Sequence, residues 1–297
     1  MSEPAPRNYI TGSEIAGGRL VNLLDRAEEM KQRRPSEGST ALDGRSVALI
    51  FEKPSTRTRV SFEVGVAELG GTPLVLHGQE MQLARGESAG DTARVLSRYV
   101  AGIVIRSGSH ERVVELAENA DVPVINALTP QYHPCQAIAD LMTLKERFGG
   151  LGGLKVAYVG DGTNVARSLA VAGSLTGVEV AVAAPEGYQL ESEVPALLTH
   201  DPHEAVRHAE AIYGDVWVSM GDEASAEQRR TDLEPFRIDA ELLAAAKPEA
   251  VVMHCLPAHP GEEISAEVLY GERSAVWDQA ENRLHAQKAL LEYLLSG

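Results

Sequence analysis

Short apolar runs with strand character alternate with longer segments of helical spacing along the whole chain. Predicted strands cover residues 46–51, 74–76, 103–106, 122–125, 155–159, 179–183, 215–218, 250–253 and 275–277. Predicted helices cover residues 60–69, 91–99, 111–118, 136–148, 165–175, 204–209, 240–245 and 281–295. Continuous apolar strands that are separated by helices predict parallel sheets covered on both faces, which is the α/β fold class.

The alternation divides into two series, which predicts two domains. A chain of 297 residues is long enough for two domains, since a typical domain has roughly 150 residues. The predicted helix at 136–148 and the GGLGG stretch at 149–153 lie between the series. We therefore predict one domain over residues 1–133 and a second over 134–280, each a parallel sheet flanked by helices.

The charge balance excludes several classes of partner. The chain has 27 Lys and Arg against 43 Asp and Glu, for a net charge of −16, and such a surface repels nucleic acid and acidic lipid. No apolar run approaches the roughly 18 residues of a membrane span, and the N-terminus lacks the apolar core of a signal peptide. Together with only two cysteines, these features predict a cytoplasmic protein that binds neither nucleic acid nor membranes.

Polar motifs follow the predicted strands, which is where ligands bind in open α/β sheets. The strand at 46–51 runs into EKPSTRTR at 52–59. Hydroxyls, helix N-terminal N–H groups and guanidinium groups form an anion site when they meet. Each residue alone is also typical of a capped helix with solvated arginines. The run Ser55, Thr56, Arg57, Thr58 and Arg59 directly after a buried strand favours phosphate binding.

Two further strands of the first half end in polar groups. Arg106 closes the strand at 103–106, where a surface ion pair is the alternative interpretation. His133, Pro134, Cys135 and Gln136 precede the helix at 136–148, and they offer donors to a carbonyl or phosphate oxygen. A structural histidine in an N-terminal turn is the alternative for this motif.

In the second half, the strand at 155–159 is followed by GDGTNV at 160–165. Val165 occupies the third glycine position of a dinucleotide motif and no acid ends the next strand, which disfavours nicotinamide binding. Asp215 and Ser219, at the two ends of the predicted strand at 215–218, could hold the ammonium group and polar atoms of an amino acid. A plain strand-end turn is the alternative.

Cys255 lies in HCLP at 254–257, directly after the strand at 250–253. It could act as a nucleophile, a metal ligand or a polarisable wall of a site. The absence of CxxC or HxxxH spacing disfavours a metal, and a nucleophile would need a base and an oxyanion hole that the sequence does not locate. Arg283, in ENR at 281–283, could be solvated or could reach back into a cleft.

Taken together, these motifs resemble those of the transcarbamylase (carbamoyltransferase) family, in the same order and over essentially the whole chain. STRTR at 55–59 resembles the carbamoyl phosphate motif, and HPCQ at 133–136 resembles the second shared motif. DVWVSMG at 215–221 and HCLP at 254–257 resemble the two motifs of the ornithine branch. The resemblance implies transfer of a carbamoyl group from carbamoyl phosphate to L-ornithine in arginine and citrulline metabolism, with no metal or organic cofactor.

The resemblance also implies residue roles. Carbamoyl phosphate would be bound by Ser55, Thr56, Arg57, Thr58, Gln82, Arg106, His133, Pro134, Cys135, Gln136, Cys255, Leu256 and Arg283. Among these, the catalytic residues would be Arg106, His133, Cys255 and Arg283. Ornithine would be bound by Asn164, Asp215, Ser219 and Met220.

The family organisation implies an assembly as well. The C-terminal helix, residues 281–297, would pack back on the first domain. The catalytic unit would be a homotrimer, or a multiple of trimers, with sites at subunit interfaces. Gln82 lies in the loop that would reach the site of a neighbouring subunit.

Three other functions are compatible with parts of the sequence. The first is a transcarbamylase for another amine, such as putrescine or an N-acylated ornithine. The second is a non-catalytic relative that serves as a binding or regulatory subunit, which would be expected to lack the arginines or His133, but all of them are present. The third is an NAD-dependent oxidoreductase, which Val165 disfavours.

Overall fold

The computed structural model describes residues 6–34, 39–218 and 223–296. The helices are α1 Gly18–Arg33, α2 Thr56–Glu68, α3 Ala89–Leu96, α4 His110–Asn119, α5 Pro134–Phe148, α6 Asn164–Thr176, α7 Pro202–Val206, α8 Ala226–Leu233, α9 Ala240–Ala245, α10 Ala266–Leu269 and α11 Val276–Leu295. The strands are β1 Ser46–Phe51, β2 Thr72–His77, β3 Gly102–Arg106, β4 Val124–Leu128, β5 Lys155–Val159, β6 Glu179–Ala183, β7 Leu197–Thr199, β8 Ala211–Gly214 and β9 Val251–His254. Short 3₁₀ turns cover Gly78–Glu80, Gln82–Arg85, Glu223–Ser225 and Glu234–Phe236.

The strands form two parallel sheets, which confirms the predicted α/β class. One sheet has the strand order β2-β1-β3-β4 and the other has β7-β6-β5-β8-β9. The apolar side chains of β1 and β3 are buried on both faces of their sheet, as expected for strands covered by helices on both sides. The edge strand β2 is only partly buried and contains Pro73, a residue that a central strand would not tolerate because it lacks an N–H donor.

The chain forms two compact units. Unit 1 comprises Met1–Met142 with Asn282–Gly297, and unit 2 comprises Thr143–Glu281. The division falls within α5, between Met142 and Thr143, whereas the sequence predicts a boundary between residues 133 and 134. The four-stranded sheet belongs to unit 1 and the five-stranded sheet to unit 2.

The C-terminal helix α11 packs on unit 1, as the resemblance implied. The Arg26 guanidinium of α1 donates to Glu292 at 2.6 Å, and Lys31 Nζ of α1 donates to Asn282 Oδ1 at 2.8 Å. The largely buried Lys288 pairs with Glu68 of α2 at 2.6 Å. Three polar contacts along its length therefore fix which face of α11 meets the rest of unit 1.

Two predicted strands are wrong. The strand predicted at 215–218 lies instead at Ala211–Gly214, because this segment pairs with both β5 and β9 and leaves Asp215 just beyond the strand end. The strand predicted at 275–277 is a single bridge from Ser274 to Val252, and the helix predicted to begin at 281 already begins at Val276. The continuous apolar runs at both places do not reveal which residues pair across the sheet.

The sequence patterns also missed several elements, of which the largest is α1. This helix buries one side through Leu20, Leu23, Leu24, Ala27 and Met30. Among the described residues, no helix is long and apolar enough to cross a membrane.

Candidate active site

The N-terminus of α2 carries the STRTR motif directly after β1. Ser55 is the N-cap in an extended conformation, and among the described residues its side chain makes no capping hydrogen bond. The first turn of α2 holds no acidic residue, and Thr56 and Arg57 are exposed. The first-turn N–H groups and the positive end of the helix dipole are therefore available to an anion.

Three adjacent strands of unit 1 end at the same edge of the sheet. β1 leads into Ser55, β3 ends at Arg106, and β4 leads into His133 at the start of α5. The register pairs Phe51 with Arg106, so the ends of β1 and β3 lie level. The sheet thus collects the predicted phosphate and carbonyl ligands from three separate segments.

Arg283 joins this group from the far end of the chain. It is buried, with 4% of its surface exposed. Its Nη2 donates to Thr58 Oγ1 at 2.6 Å, and its Nη1 donates to Gln136 Oε1 at 2.9 Å. The sequence left open whether Arg283 is solvated or reaches inward, and the structure shows that it reaches inward.

His133 lies in a buried and electropositive environment. Burial, followed by the positive charges of Arg283 and Arg106, holds its pKa well below the ordinary value of 6.5. The imidazole is therefore neutral at physiological pH and can donate a hydrogen bond to a substrate oxygen through one ring nitrogen.

The remaining predicted residues of unit 1 have different environments. The Cys135 thiol donates to the Asn126 carbonyl oxygen at 3.3 Å, and burial raises its pKa to about 12. Such a thiol is no nucleophile, so Cys135 could contribute to a ligand site only through its backbone. Pro134 opens α5, and Gln82 is exposed at the start of the turn Gln82–Arg85.

Asp215 is the centre of the polar cluster in unit 2. Its Oδ1 accepts from the Cys255 thiol and from the Val216 N–H, both at 2.8 Å. Its Oδ2 accepts from the Thr163 hydroxyl at 3.2 Å, and that hydroxyl also contacts the Tyr158 hydroxyl at 3.2 Å. These contacts orient both carboxylate oxygens of a residue that is only 9% exposed.

Strands β5, β8 and β9 are neighbours, and their carboxyl ends bring these groups together. Asn164 begins α6 after β5, Asp215 follows β8, and Cys255 follows β9. Thr163 and Tyr158 were not predicted as members of the cluster. For Thr163, the available sequence signal was the presence of a polar residue in the loop after β5. Ser219 and Met220 lie outside the described residues.

The backbone of the HCLP segment is held in an uncommon conformation. Leu256 has a φ of 57°, in the left-handed region that non-glycine residues rarely adopt. Its N–H donates to His254 Nδ1 at 2.9 Å, and the His254 N–H donates to Gln279 Oε1 at 2.8 Å. Such a conformation persists only where the surroundings enforce it, and here it keeps Cys255 beside Asp215.

The glycine at position 162 of the GDGTNV segment is explained by close packing. A Cβ on Gly162 would lie 2.8 Å from the Tyr188 carbonyl oxygen and 2.8 Å from the Leu190 nitrogen. Asp161 pairs with Arg229, and the Arg229 Nε also donates to the Trp217 carbonyl oxygen at 2.6 Å. Close backbone packing therefore accounts for Gly162 without a dinucleotide.

A cluster of potential metal ligands lies in the loop after HCLP, where sequence spacing did not indicate one. Ligand atoms of His259, Glu262 and Glu263 lie within 4.8 Å of one another. Glu262 pairs with Arg230 at 3.1 Å, which partly compensates the negative charge. Glu263 is buried and faces the imidazole of His254 at 3.4 Å.

Two family models match almost the whole chain. Residues 7–146 match the carbamoyl-P binding domain of aspartate/ornithine carbamoyltransferase, and residues 152–294 match its Asp/Orn binding domain. The ornithine carbamoyltransferase of Acidothermus cellulolyticus is 52% identical, covering 97% of this chain and 96% of the relative. That of Methanoculleus marisnigri is 53% identical, covering 98% and 97%.

Solved structures agree with these relatives. The ornithine carbamoyltransferase of Pyrococcus furiosus superposes with a TM-score of 0.95 at 47% identity, over 100% of this chain and 99% of that chain. The enzyme of Thermus thermophilus superposes with a TM-score of 0.91 at 46% identity, over 98% and 99%. The two family models, the matched fold and the full-length identity together show that the chain belongs to the aspartate/ornithine carbamoyltransferase family.

Proposed function

We infer that the chain catalyses transfer of the carbamoyl group from carbamoyl phosphate to L-ornithine, which yields L-citrulline and phosphate. The convergence of Arg283, Thr58 and Gln136 around the N-terminus of α2 is the observation that carries the carbamoyl phosphate half. Full-length identity of about half with ornithine carbamoyltransferases supports ornithine as the amine. This reaction belongs to arginine and citrulline metabolism.

In unit 1, we assign the phosphate to Ser55, Thr56, Arg57 and Thr58, where helix N–H groups and a guanidinium neutralise its charge. Arg106, His133 and Arg283 polarise the carbamoyl oxygen and stabilise the oxyanion that develops as the amine attacks. The neutral imidazole of His133 donates a hydrogen bond, while the two arginines supply the positive charge. Gln136 orients the carbamoyl group, and Pro134 and Cys135 line the site through their backbone.

In unit 2, we assign the ornithine α-ammonium group to the carboxylate of Asp215, with Asn164, Ser219 and Met220 completing the amino acid site. Holding the substrate by its α end leaves the δ-amine to react. Cys255 and Leu256 line the position of the attacking amine and the carbamoyl group.

The chemistry forms one bond and breaks another. The neutral δ-amine attacks the carbamoyl carbon, a C–N bond forms, and the C–O bond to phosphate breaks. The amine loses one proton, for which the departing phosphate is a suitable acceptor. Because the phosphate is a good leaving group, binding, orientation and oxyanion stabilisation are sufficient to drive the reaction.

We further propose that the protein is a cytoplasmic homotrimer, or a multiple of trimers, in which Gln82 acts in the site of a neighbouring subunit. The exposed position of Gln82 on its 3₁₀ turn supports this assignment. A side chain that serves another subunit must be accessible on its own protomer.

The test is citrulline formation from carbamoyl phosphate and L-ornithine, with putrescine, N-acetylornithine and L-aspartate assayed in parallel. We expect turnover with ornithine and at least about 100-fold lower kcat/KM with the other amines, since each leaves a charged or polar group unpaired. Preferred turnover of another amine would overturn the ornithine assignment and retain the carbamoyl phosphate site. A folded protein that turns over none of them would overturn the proposed activity.

A further inference from the structure

Asp140 is a buried acid in contact with Gln136 of the proposed carbamoyl phosphate site, and none of the roles assigned above uses it. It lies on α5, one helical turn after Gln136, and its surface is 0% exposed. Gln136 Nε2 donates to Asp140 Oδ1 at 2.8 Å. Burial of a carboxylate is costly unless its contacts compensate the loss of water, so its position beside a proposed ligand needs a physical reason.

The Gln136 amide is bonded on both sides by groups of fixed polarity. Its Oε1 accepts from Arg283 Nη1 at 2.9 Å, while its Nε2 donates to Asp140. A guanidinium group only donates hydrogen bonds and a carboxylate only accepts them. The observed orientation of the Gln136 amide satisfies both neighbours. The flipped orientation would place the amide NH₂ group against the guanidinium and the amide oxygen against the carboxylate, so neither hydrogen bond could form.

The same polarity continues to the start of α2. Arg283 Nη2 donates to Thr58 Oγ1 at 2.6 Å, so the hydroxyl oxygen of Thr58 is an acceptor in this contact. The hydroxyl proton of Thr58 therefore points away from the guanidinium. The chain of contacts from Asp140 through Gln136 and Arg283 to Thr58 lies within unit 1 and sets the direction of each donor along it.

The network also has an electrostatic consequence. Arg283 is 4% exposed, and a guanidinium group keeps its charge when buried. The carboxylate of Asp140, bonded to the opposite side of the same amide, lowers the cost of burying that charge. Arg283 is therefore held in place before any substrate arrives.

We propose that Asp140 is a positioning residue of the carbamoyl phosphate site, whose carboxylate fixes the orientation of the Gln136 amide and thereby the donors of Arg283 and Thr58. This assignment rests on the proposed function, because it concerns the same site. It predicts that loss of the negative charge, without loss of volume, affects carbamoyl phosphate and spares ornithine.

The test is the isosteric variant Asp140→Asn, assayed for citrulline formation with each substrate varied in turn. Its amide can donate as well as accept, so it no longer forces one orientation of Gln136. We expect kcat/KM for carbamoyl phosphate to fall roughly tenfold or more, the range for loss of a charged hydrogen bond. The KM for ornithine should stay within about twofold, because unit 2 is unchanged.

A double-mutant cycle with Gln136→Ala separates positioning from general damage. If Asp140 acts through Gln136, the double variant should match Gln136→Ala within about twofold, because the second change removes an effect that is already lost. Asn126→Ala is the matched stability control, since Asn126 is equally buried in unit 1 and donates to the Ile10 carbonyl oxygen at 2.8 Å. It should lower the Tm without a selective increase of the KM for carbamoyl phosphate.

Each outcome has a defined meaning. The positioning role would be overturned if Asp140→Asn left kcat/KM for carbamoyl phosphate unchanged. It would also be overturned if the losses of the two single variants multiplied in the double variant. In both cases turnover by the wild type would leave the proposed function intact. Wild-type protein that forms no citrulline would overturn the proposed function and this role with it. If Asp140→Asn does not fold, Asp140→Ser is assayed under the same criteria, since its hydroxyl also donates and accepts; failure of both to fold would assign Asp140 to folding and overturn the positioning role.

Discussion

Single residues in unit 1 show how a donor set for an anionic substrate is built inside a chain with a net charge of −16. Arg283 and His133 are each 4% exposed, while Arg57 and Thr56 on α2 are exposed. Local placement of positive charge therefore opposes the negative field of the whole protein. Buried Arg283 is held by its contacts with Thr58 and Gln136, and the exposed residues are available to a ligand.

Arg57 and Arg59 provide a matched pair within one motif. Arg59 pairs with Glu63 at 2.8 Å on the exposed face of α2, whereas Arg57 is assigned to phosphate. We expect Arg57→Ala to raise the KM for carbamoyl phosphate by about 10- to 100-fold, since hydrogen bonds to charged groups contribute about 1.5–3 kcal/mol. Arg59→Ala should change it by less than about twofold, because exposed ion pairs contribute little. Steady-state kinetics with both variants checks the assignment, and equal effects would contradict it.

Asp215 provides the corresponding test for the ornithine site. Asp215→Asn keeps the acceptor oxygen for the Val216 N–H and removes the charge that attracts the ornithine α-ammonium group. We expect the KM for ornithine to rise about 10-fold or more while the KM for carbamoyl phosphate changes by less than about twofold. A variant that instead loses carbamoyl phosphate affinity would show that Asp215 has been assigned to the wrong substrate.

His133 makes stability depend on pH in a predictable direction. Burial and the charges of Arg283 and Arg106 lower its pKa well below 6.5. Below pH 6.5 the unfolded chain therefore binds a proton that the folded chain does not, and stability falls as the pH falls. Between pH 7.5 and 5.5 the wild type should therefore lose more unfolding free energy than His133→Gln, which carries no group that titrates there. Urea unfolding at both pH values measures this difference, and parallel losses in the two proteins would argue against it.

At the scale of elements, the loop from β5 to α6 shows how backbone packing limits a sequence. Gly162 approaches the backbone of Tyr188 and Leu190, and Thr163 caps α6 by accepting from the Val165 N–H. The same loop ends in Asn164, a proposed ornithine ligand. Tight packing of the loop therefore places a functional residue at the start of a helix.

Gly162→Ala should destabilise the protein by about 1–3 kcal/mol, because its Cβ would meet rigid backbone rather than a flexible side chain. Gly152→Ala is the matched control in the same unit, since its Cβ would meet no described atom within 4 Å. Thermal unfolding should show a lower Tm for Gly162→Ala and an unchanged or slightly higher Tm for Gly152→Ala. Equal Tm values for the two variants would refute the packing explanation.

At the scale of the whole molecule, the proposed trimer implies that sites are shared between subunits. Light scattering should give three times the chain mass of 31.8 kDa, or a multiple of that value. A protein that is monomeric at assay concentration and fully active would rule out a shared site.

Subunit complementation tests the role of Gln82 directly. Arg57→Ala and Gln82→Ala homotrimers should each be weakly active. Hybrid trimers should regain activity, up to about one third of the wild-type value, because one site combines native Arg57 from one subunit with native Gln82 from its neighbour. Absence of any recovery in mixed trimers would place Gln82 in the site of its own subunit.

The sequence alone predicted the fold class and much of the candidate site. Apolar strands such as β1, β5 and β6 occupy the predicted residues, because continuous apolar character and flanking helical spacing are local properties of the chain. The STRTR, HPCQ and HCLP motifs could be located for the same reason, since each is a run of neighbouring residues after a strand.

The tertiary structure determined the contacts between residues that are distant in sequence. The contacts of Arg283 with Thr58 and Gln136, and of Cys255 with Asp215, join residues that are far apart in sequence. Likewise, the true start of β8 depends on its pairing with β5 and β9 rather than on its own apolar pattern. Periodicity reports which faces of an element are apolar, whereas strand pairing and helix packing determine which polar groups meet. The sequence therefore determined the fold class, most of the strands and the motifs, and only the folded chain determined the buried network from Asp140 to Thr58.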